Sequence, residues 1–199
     1  MNLLWSKTLE TERLILHKTE EKDLKELWEI LCIKDVSKYY LTTKLNDNWE
    51  DEREWQYKKL QESSNNDVFR RTIEIKDSNR VIWQITVPQE SNSNDIRIRD
   101  IGWFINPAFQ KKWYAYEAAI EIIKYMFGEV GIKLIRTTSA INNRNSWKLM
   151  EKLGFQRMNQ TKFMKYTLIN KNVEAYQYEL NKEGFTKNVL KKIKKANSN

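Results

Sequence analysis

At 199 residues, with 40% hydrophobic and 31% charged side chains, the chain is long enough for a sizeable core, and one domain over 1–199 is expected, its core spanning about 9–180 and a basic helix and tail 181–199. Lysine and arginine exceed the acids by eight (35 against 27), which favours anionic partners, but no readout motif accompanies the charge, so specific nucleic-acid binding is not expected. The single Cys32 excludes an internal disulfide framework and a multi-cysteine zinc site; no metal is expected, and without a run of ~20 apolar residues or a signal-peptide-like start the expected place is the cytoplasm, away from membranes.

In chain order, Leu9 to Leu16 reads as a strand, Leu14 and Leu16 alternating with Arg13 and Ile15. His17, the sole histidine, follows as a strand-end surface residue. Thr19, Glu20, Glu21 and Asp23 carry a helix-start pattern, and Leu24, Leu27, Trp28 and Leu31 supply the apolar stripe. A second helix is expected over about 48–63, with Trp49, Trp55 and Leu60. Between the two lies 35–46, with Tyr39, Tyr40 and Leu41.

Residues 63–67 are a turn cluster, 68–75 and 81–87 read as strands joined at Asp77-Ser78-Asn79, and 89–95 is a polar loop. A central strand from about Ile96 stops at Asn106-Pro107, because proline cannot donate to a ladder. The helix after it places Ala115, Ala118, Ala119, Ile122, Ile123 and Met126 on one stripe, and Gly128 and Gly131 bracket its end. A strand feeding a helix through a short loop aims unpaired N–H groups at whatever lies above the loop, which is a ready anion site. Then come a strand over 132–140, a helix over 143–153 capped by Gly154, a hairpin of 163–168 with 173–180, and a basic helix from Lys182 to Lys195. This order gives an α/β (α+β) domain with a mixed, mostly antiparallel sheet.

Three segments resemble the GNAT superfamily of acetyl-CoA-dependent N-acetyltransferases. The loop Gln110-Lys111-Lys112-Trp113-Tyr114-Ala115 is similar to that family's Gln/Arg-x-x-Gly-x-Gly/Ala, with Gln110 and Ala115 matching and Trp113 in the place of the central glycine. Asn143-Arg144-Asn145-Ser146, followed by Glu151-Lys152-Leu153-Gly154-Phe155, resembles its Asn-x-x-Ser…Glu-Lys-x-Gly-Phe segment. Leu9 to Leu16 resembles the opening strand of the ribosomal-protein N-acetyltransferase subgroup. The resemblance implies a central sheet splayed in the middle and flanked by helices on both faces. It also places residues 35–46 in the wall of the acceptor site.

What the resemblance implies for chemistry is acetyl transfer from acetyl-CoA, as co-substrate, to a primary amine: a protein N-terminus or a small-molecule amine. Backbone N–H groups from Lys111 to Ala115 would cradle the diphosphate, with Lys111 and Lys112 adding charge. An N–H near Phe104 or Ile105 would meet the thioester oxygen, and Asn143 would contact the amide arm of the cofactor or cap the strand end. Asp100 is the candidate base, on a face shared with Gly102 and Phe104 by two-residue alternation; its plain alternative is a salt-bridged or exposed carboxylate. Ser146 is the candidate proton donor to the thiolate, with a helix N-cap hydroxyl as the alternative. Tyr114 and Tyr116 are further donors, while Glu151 to Phe155 reads as a helix end and core anchor. A tryptophan at position 113 is expected to shun φ > 0, and its indole either points away from the loop or fills the diphosphate site. Trp83, after Val81-Ile82 where the family commonly has glycine, suggests a remodelled cleft. The rival to the enzyme is therefore a non-catalytic module of the same fold whose loop is blocked by Trp113; monomer and homodimer are both open.

Overall fold

One strand divides the protein. In the computed structural model, which describes residues 6–40, 45–65 and 68–190, the expected central strand is interrupted at Ile101. Its first half, β5 (Ile98–Asp100), runs parallel to β7 (Leu134–Ala140), while its second half, β6 (Gly102–Ile105), pairs antiparallel with β4 (Arg80–Val87). The hinge is pinned on one side: the Ile101 N–H donates to Arg136 O (3.0 Å), and Thr137 Oγ1 donates to Ile101 O (2.8 Å). Beyond that point the two sheets diverge, and the splay expected from the family resemblance is the result.

The first sheet has the order β1-β2-β3-β4-β6, with β1 (Leu9–Glu10), β2 (Leu14–Lys18) and β3 (Phe69–Ile75). The stretch expected as one strand over 9–16 is instead a tight hairpin. Leu9 pairs with Leu16, and Thr11 reverses the chain by accepting the Leu14 N–H on its hydroxyl (3.0 Å) while donating its own N–H to Leu14 O. The second sheet has the order β5-β7-β9-β8, with β8 (Gln156–Tyr166) and β9 (Lys171–Asn181). That final hairpin starts well before the expected Phe163, because the first eight residues of β8 are exposed on both faces and so carry no apolar alternation to announce the strand.

Helices cover both faces. On one side α4 (Tyr114–Tyr125) presses Ala118, Ala119, Ile122 and Ile123, all fully buried, against Leu14, Leu16, Phe69, Ile73, Trp83 and Ile85. Burying each large aliphatic side chain contributes about 1.5–3 kcal/mol, so this seam dominates the core. Across the sheet, α1 (Leu24–Cys32) and the short α2 (Lys34–Ser37) set Leu27, Ile30, Leu31 and Val36 on Val81 and Phe104. Period-two alternation explains the division: Trp83, Ile85, Trp103 and Ile105 point to α4, whereas Gln84 and Phe104 point the other way. The remaining helices are α3 (Trp49–Asn65), α5 (Arg144–Lys152) and α6 (Lys182–Phe185).

Three smaller expectations change. His17 stands next to the end of β2 as expected but is not a surface group: its side chain is mostly buried, with Nε2 3.0 Å from Glu74 Oε1 and Nδ1 2.8 Å from Lys18 O. The helix expected over 182–195 is α6 followed by a widened turn over 186–190. Lys191 to Lys195, Leu41 and Asn66-Asp67 of the turn cluster lie outside the described residues.

Candidate active site

The loop that feeds α4 keeps a glycine-like backbone without its glycines. Asn106 Oδ1 accepts the Ala108 N–H (3.0 Å) to close a single 3-10 turn after Pro107. Lys111 (φ 62°) and Trp113 (φ 69°) then both adopt the left-handed conformation. The expectation that Trp113 would avoid positive φ is therefore overturned. Such strain costs about 1–3 kcal/mol per residue and persists only where surrounding contacts hold it. Here they do: Lys152 Nζ sits 3.3 Å over the indole centroid, the Tyr116 ring meets it edge-on at 5.8 Å, and Arg13 Nη1 holds Lys112 O (3.2 Å).

The left-handed turn delivers an open helix end. Trp113 occupies the N-cap position and makes no side-chain cap, so the N–H groups of Tyr114, Ala115 and Tyr116 have no helical acceptor. Glu117, the acid of that first turn, does not compete for them. Its carboxylate is turned outward to Thr11 and Arg13 (Arg13 Nε–Oε2 2.8 Å). Burial pushes its pKa up, but the hydrogen bonds from Thr11 and Arg13 outweigh this and hold it below the usual glutamate range.

A cavity of about 440 Å³ lies between this loop, β6 and α5. Trp83, fully buried, is one wall, edge-on to Trp103 at 6.2 Å, and its Nε1 has no hydrogen-bond partner among the described residues. It is a core side chain that also lines the cleft. The Trp113 indole is 57% exposed and stands on the wall, linked through Lys152 to α5. Gln110, Lys111 and Ala115 also line the cavity, and Gln110 Oε1 accepts from Asn145 Nδ2 (3.1 Å), tying the loop to α5. Lys112 and Tyr114 do not line it: Lys112 Nζ lies over Phe109 (5.3 Å), and the Tyr114 ring lies under the Arg13 guanidinium (4.4 Å). Lys152, Trp103 and Phe109 are lining residues that sequence reasoning missed.

β6 is the edge of its sheet, and ladder parity decides which N–H is open. Asn106 N–H donates to Ile82 O (2.9 Å), and with Trp83 opposite Ile105 the hydrogen-bonded partners along β6 are the even-numbered residues. Phe104 N–H is therefore spent on β4. The N–H groups of Ile105 and Trp103 face the splay, so of the two expected donors Ile105 qualifies and Phe104 does not.

A second cavity of about 800 Å³ opens on the other side of β6, with Gly102, Phe104, Gln84 and Asp100 on its walls. Tyr39, Tyr40, Asn143 and Ser146 line both cavities, so the two meet there. Asn143 holds the N-cap position of α5 without a side-chain cap, and Ser146 lies one turn in, its N–H donating to Asn143 O (3.1 Å). The alternative of an N-cap hydroxyl for Ser146 is thus excluded by position. Asp100 is half-buried; burial first, then the charge of Glu90, raises its pKa above the usual aspartate range, with Lys162 and Arg136 pulling the other way. Glu90 falls in the stretch expected as a polar loop, and the signal that marks it is its place three residues after the apolar strand ends at Val87. The segment Glu151 to Phe155 is mainly structural: Leu153 and Phe155 are buried, Gly154 has φ 88°, and Glu151 accepts from Arg157 and Tyr178.

A family model described as the acetyltransferase (GNAT) domain matches residues 13–156. The chain belongs to the GNAT family of acetyltransferases. It is 28% identical over 147 residues to the uncharacterized N-acetyltransferase YnaD of Bacillus subtilis (strain 168), spanning 74% of this chain and 81% of that protein. The crystal structure of an acetyltransferase (GNAT family) from Bacillus anthracis matches with a TM-score of 0.73 at 26% identity, over 89% of this chain and 99% of that one. The fold is also that of the spermidine N-acetyltransferase from Vibrio cholerae in complex with CoA and spermine, with a TM-score of 0.72 at 15% identity over 88% and 99% of the two chains. Among the described residues no helix is long and apolar enough to cross a membrane.

Proposed function

We propose that the protein transfers an acetyl group from acetyl-CoA to a primary amine, either a protein N-terminus or a small-molecule amine, by direct transfer in a ternary complex. The observation that carries this reading is the left-handed backbone at Lys111 and Trp113, which leaves the first amides of α4 uncapped beside a cavity that reaches the open edge of β6. Uncapped amides at a helix start suit an anionic group such as a diphosphate. When bound, acetyl-CoA supplies the activated acyl group as a thioester. The main-chain N–H groups of Tyr114 and Ala115, with the Lys111 and Lys152 cations, would hold the diphosphate. Ile105 N–H would polarise the carbonyl oxygen, a donor aimed where negative charge develops. Asp100 would take the proton from the attacking nitrogen, and Ser146 Oγ would give one to the departing sulfur, on the boundary between the two cavities.

One observation favours a second reading. The Trp113–Lys152 contact joins α4 to α5 across the cleft, and a module that uses this bridge as a permanent closure would keep the fold without the reaction. Titration with acetyl-CoA by calorimetry and tryptophan fluorescence separates the two. Saturable binding with a Kd on the order of micromolar to sub-millimolar is expected of the enzyme. Heat and fluorescence that stay flat at millimolar acetyl-CoA, and become saturable in Trp113→Gly, would establish the blocked module instead.

A further inference from the structure

The larger cavity contains a carboxylate that the reaction scheme above does not use. Glu90 is only 6% exposed, and its Oε2 is buried with no hydrogen-bond partner among the described residues. Its Oε1 accepts from Asn92 Nδ2 at 3.2 Å. The Arg136 guanidinium approaches Oε2 only to 3.8 Å and gives its Nε to Glu179 (2.8 Å) instead. A buried carboxylate oxygen left in this state is costly to the fold, and such groups persist where a ligand completes them.

Backbone pairing aims Glu90 at the same space as Asp100. Residues 88–90 run antiparallel beside β5: Gln89 bridges Arg99, Asp100 N–H donates to Pro88 O (3.0 Å), and Glu90 N–H donates to Ile98 O (3.3 Å). Glu90 and Asp100 are therefore diagonal cross-strand neighbours on one face, a relation that sets Cα atoms about 7–8 Å apart. Both line the cavity, and the charge of Glu90 opposes ionisation of Asp100. The other charged groups on the cavity wall largely cancel. Lys59, Arg136 and Lys162 face Glu90, Asp100 and Glu179 across the wall; Arg136 Nε is taken by Glu179 (2.8 Å), with Nη1 3.8 Å from Glu90, and Lys59 pairs with Glu62 outside the wall (3.2 Å), so Lys162 is the cation left to the Glu90–Asp100 pair. A small cation fits that arrangement. An alkyl amine or a chain N-terminus arrives largely as its ammonium at neutral pH.

We propose that Glu90 is the acceptor-recognition carboxylate: its side chain, on the cavity wall, pairs with the ammonium of the incoming amine and sets it beside Asp100, so the protein selects cationic aliphatic amines over neutral acceptors. The inference rests on the acetyl-transfer reading for its role but not for its test. Glu90 touches the acceptor and specifies it; Asp100 remains the group that takes the proton.

The test is a titration of the full chain at pH 7, followed by NMR, with n-butylammonium chloride against its neutral isostere n-butanol at matched ionic strength, without acetyl-CoA. Wild type is expected to bind the ammonium at least about tenfold tighter than the alcohol, the effect of one charge-assisted hydrogen bond. Glu90→Gln should erase that preference, and Glu90→Asp should restore part of it. The Gln variant should also melt at or above the wild-type temperature, since it removes a buried carboxylate oxygen that accepts no hydrogen bond among the described residues. Any of three results overturns the proposal: no preference in wild type, a preference retained in Glu90→Gln, or a clearly lower melting temperature for that variant, which would make Glu90 the structural partner of Arg136. Acetyl-CoA affinity, measured separately on both proteins, should differ by less than about twofold. If neither protein binds acetyl-CoA, the acetyl-transfer reading falls while the ammonium titration still decides whether Glu90 recognises a cation.

Discussion

The two cavities that meet at Asn143 and Ser146 are made of different materials. The one beside α4 presents main chain: uncapped amides, an open strand edge and a loop held at positive φ by its neighbours. The one beside β5 presents side chains: Asp100, Glu90 and their cationic neighbours on a ladder that alternates faces. The difference bears on tolerance to change. A backbone site survives replacement of a glycine by tryptophan, provided the φ angles survive, because the groups that bind are common to every residue type. A site that depends on one carboxylate is expected to fail when that carboxylate is lost.

The largest effect should come from the side-chain half. Asp100→Asn is expected to lower kcat/KM for an amine by about 10²–10⁴-fold while leaving the acetyl-CoA Kd unchanged; equal losses in both would break the division between the halves. The pH profile carries the same signature. A carboxyl whose pKa is raised by burial and by Glu90 is protonated, and idle as a base, up to a higher pH than an ordinary aspartate. The rising limb of kcat/KM should therefore lie at higher pH than for an ordinary aspartate and move to lower pH in Glu90→Gln; a limb that does not move would separate the two residues. Next in size, Ser146→Ala should cost about tenfold in kcat with little change in either binding constant, and full activity would assign the thiolate's proton to solvent. Smallest of all, Trp113→Gly should alter acetyl-CoA affinity by less than about threefold. Relief of roughly 1–3 kcal/mol of strain is offset by added glycine entropy and the lost Lys152 contact, so the Tm should shift by less than about 4 °C. A large gain in affinity would show that the indole, and not the backbone, governs that half.

Much of the architecture was legible because apolar periodicity reports burial directly. The stripe from Ala115 to Met126, the strands over 68–75 and 81–87 and the helix before Gly154 were readable on that ground. The hairpin at Thr11 and the early start of β8 were not, since a polar turn and an exposed edge leave no apolar trace. Among site residues, the loop from Gln110 to Ala115 could be found from a motif. That Lys112 and Tyr114 turn away from the cavity could not, because their direction is set by Arg13 and Phe109, far away in the chain or on another turn.

The sequence by itself determined the local pieces: which segments bury an apolar face, where proline ends a strand, and which family the motifs belong to. Only the tertiary structure decided that the central strand breaks at Ile101, that Ile105 and not Phe104 keeps an open N–H, that Trp113 accepts a left-handed backbone, and that Glu90 stands beside Asp100. The physical reason is common to all four. Each depends on a partner distant in sequence, Arg136, Ile82, Lys152 or Arg99, and no local preference encodes the pairing of one segment with another.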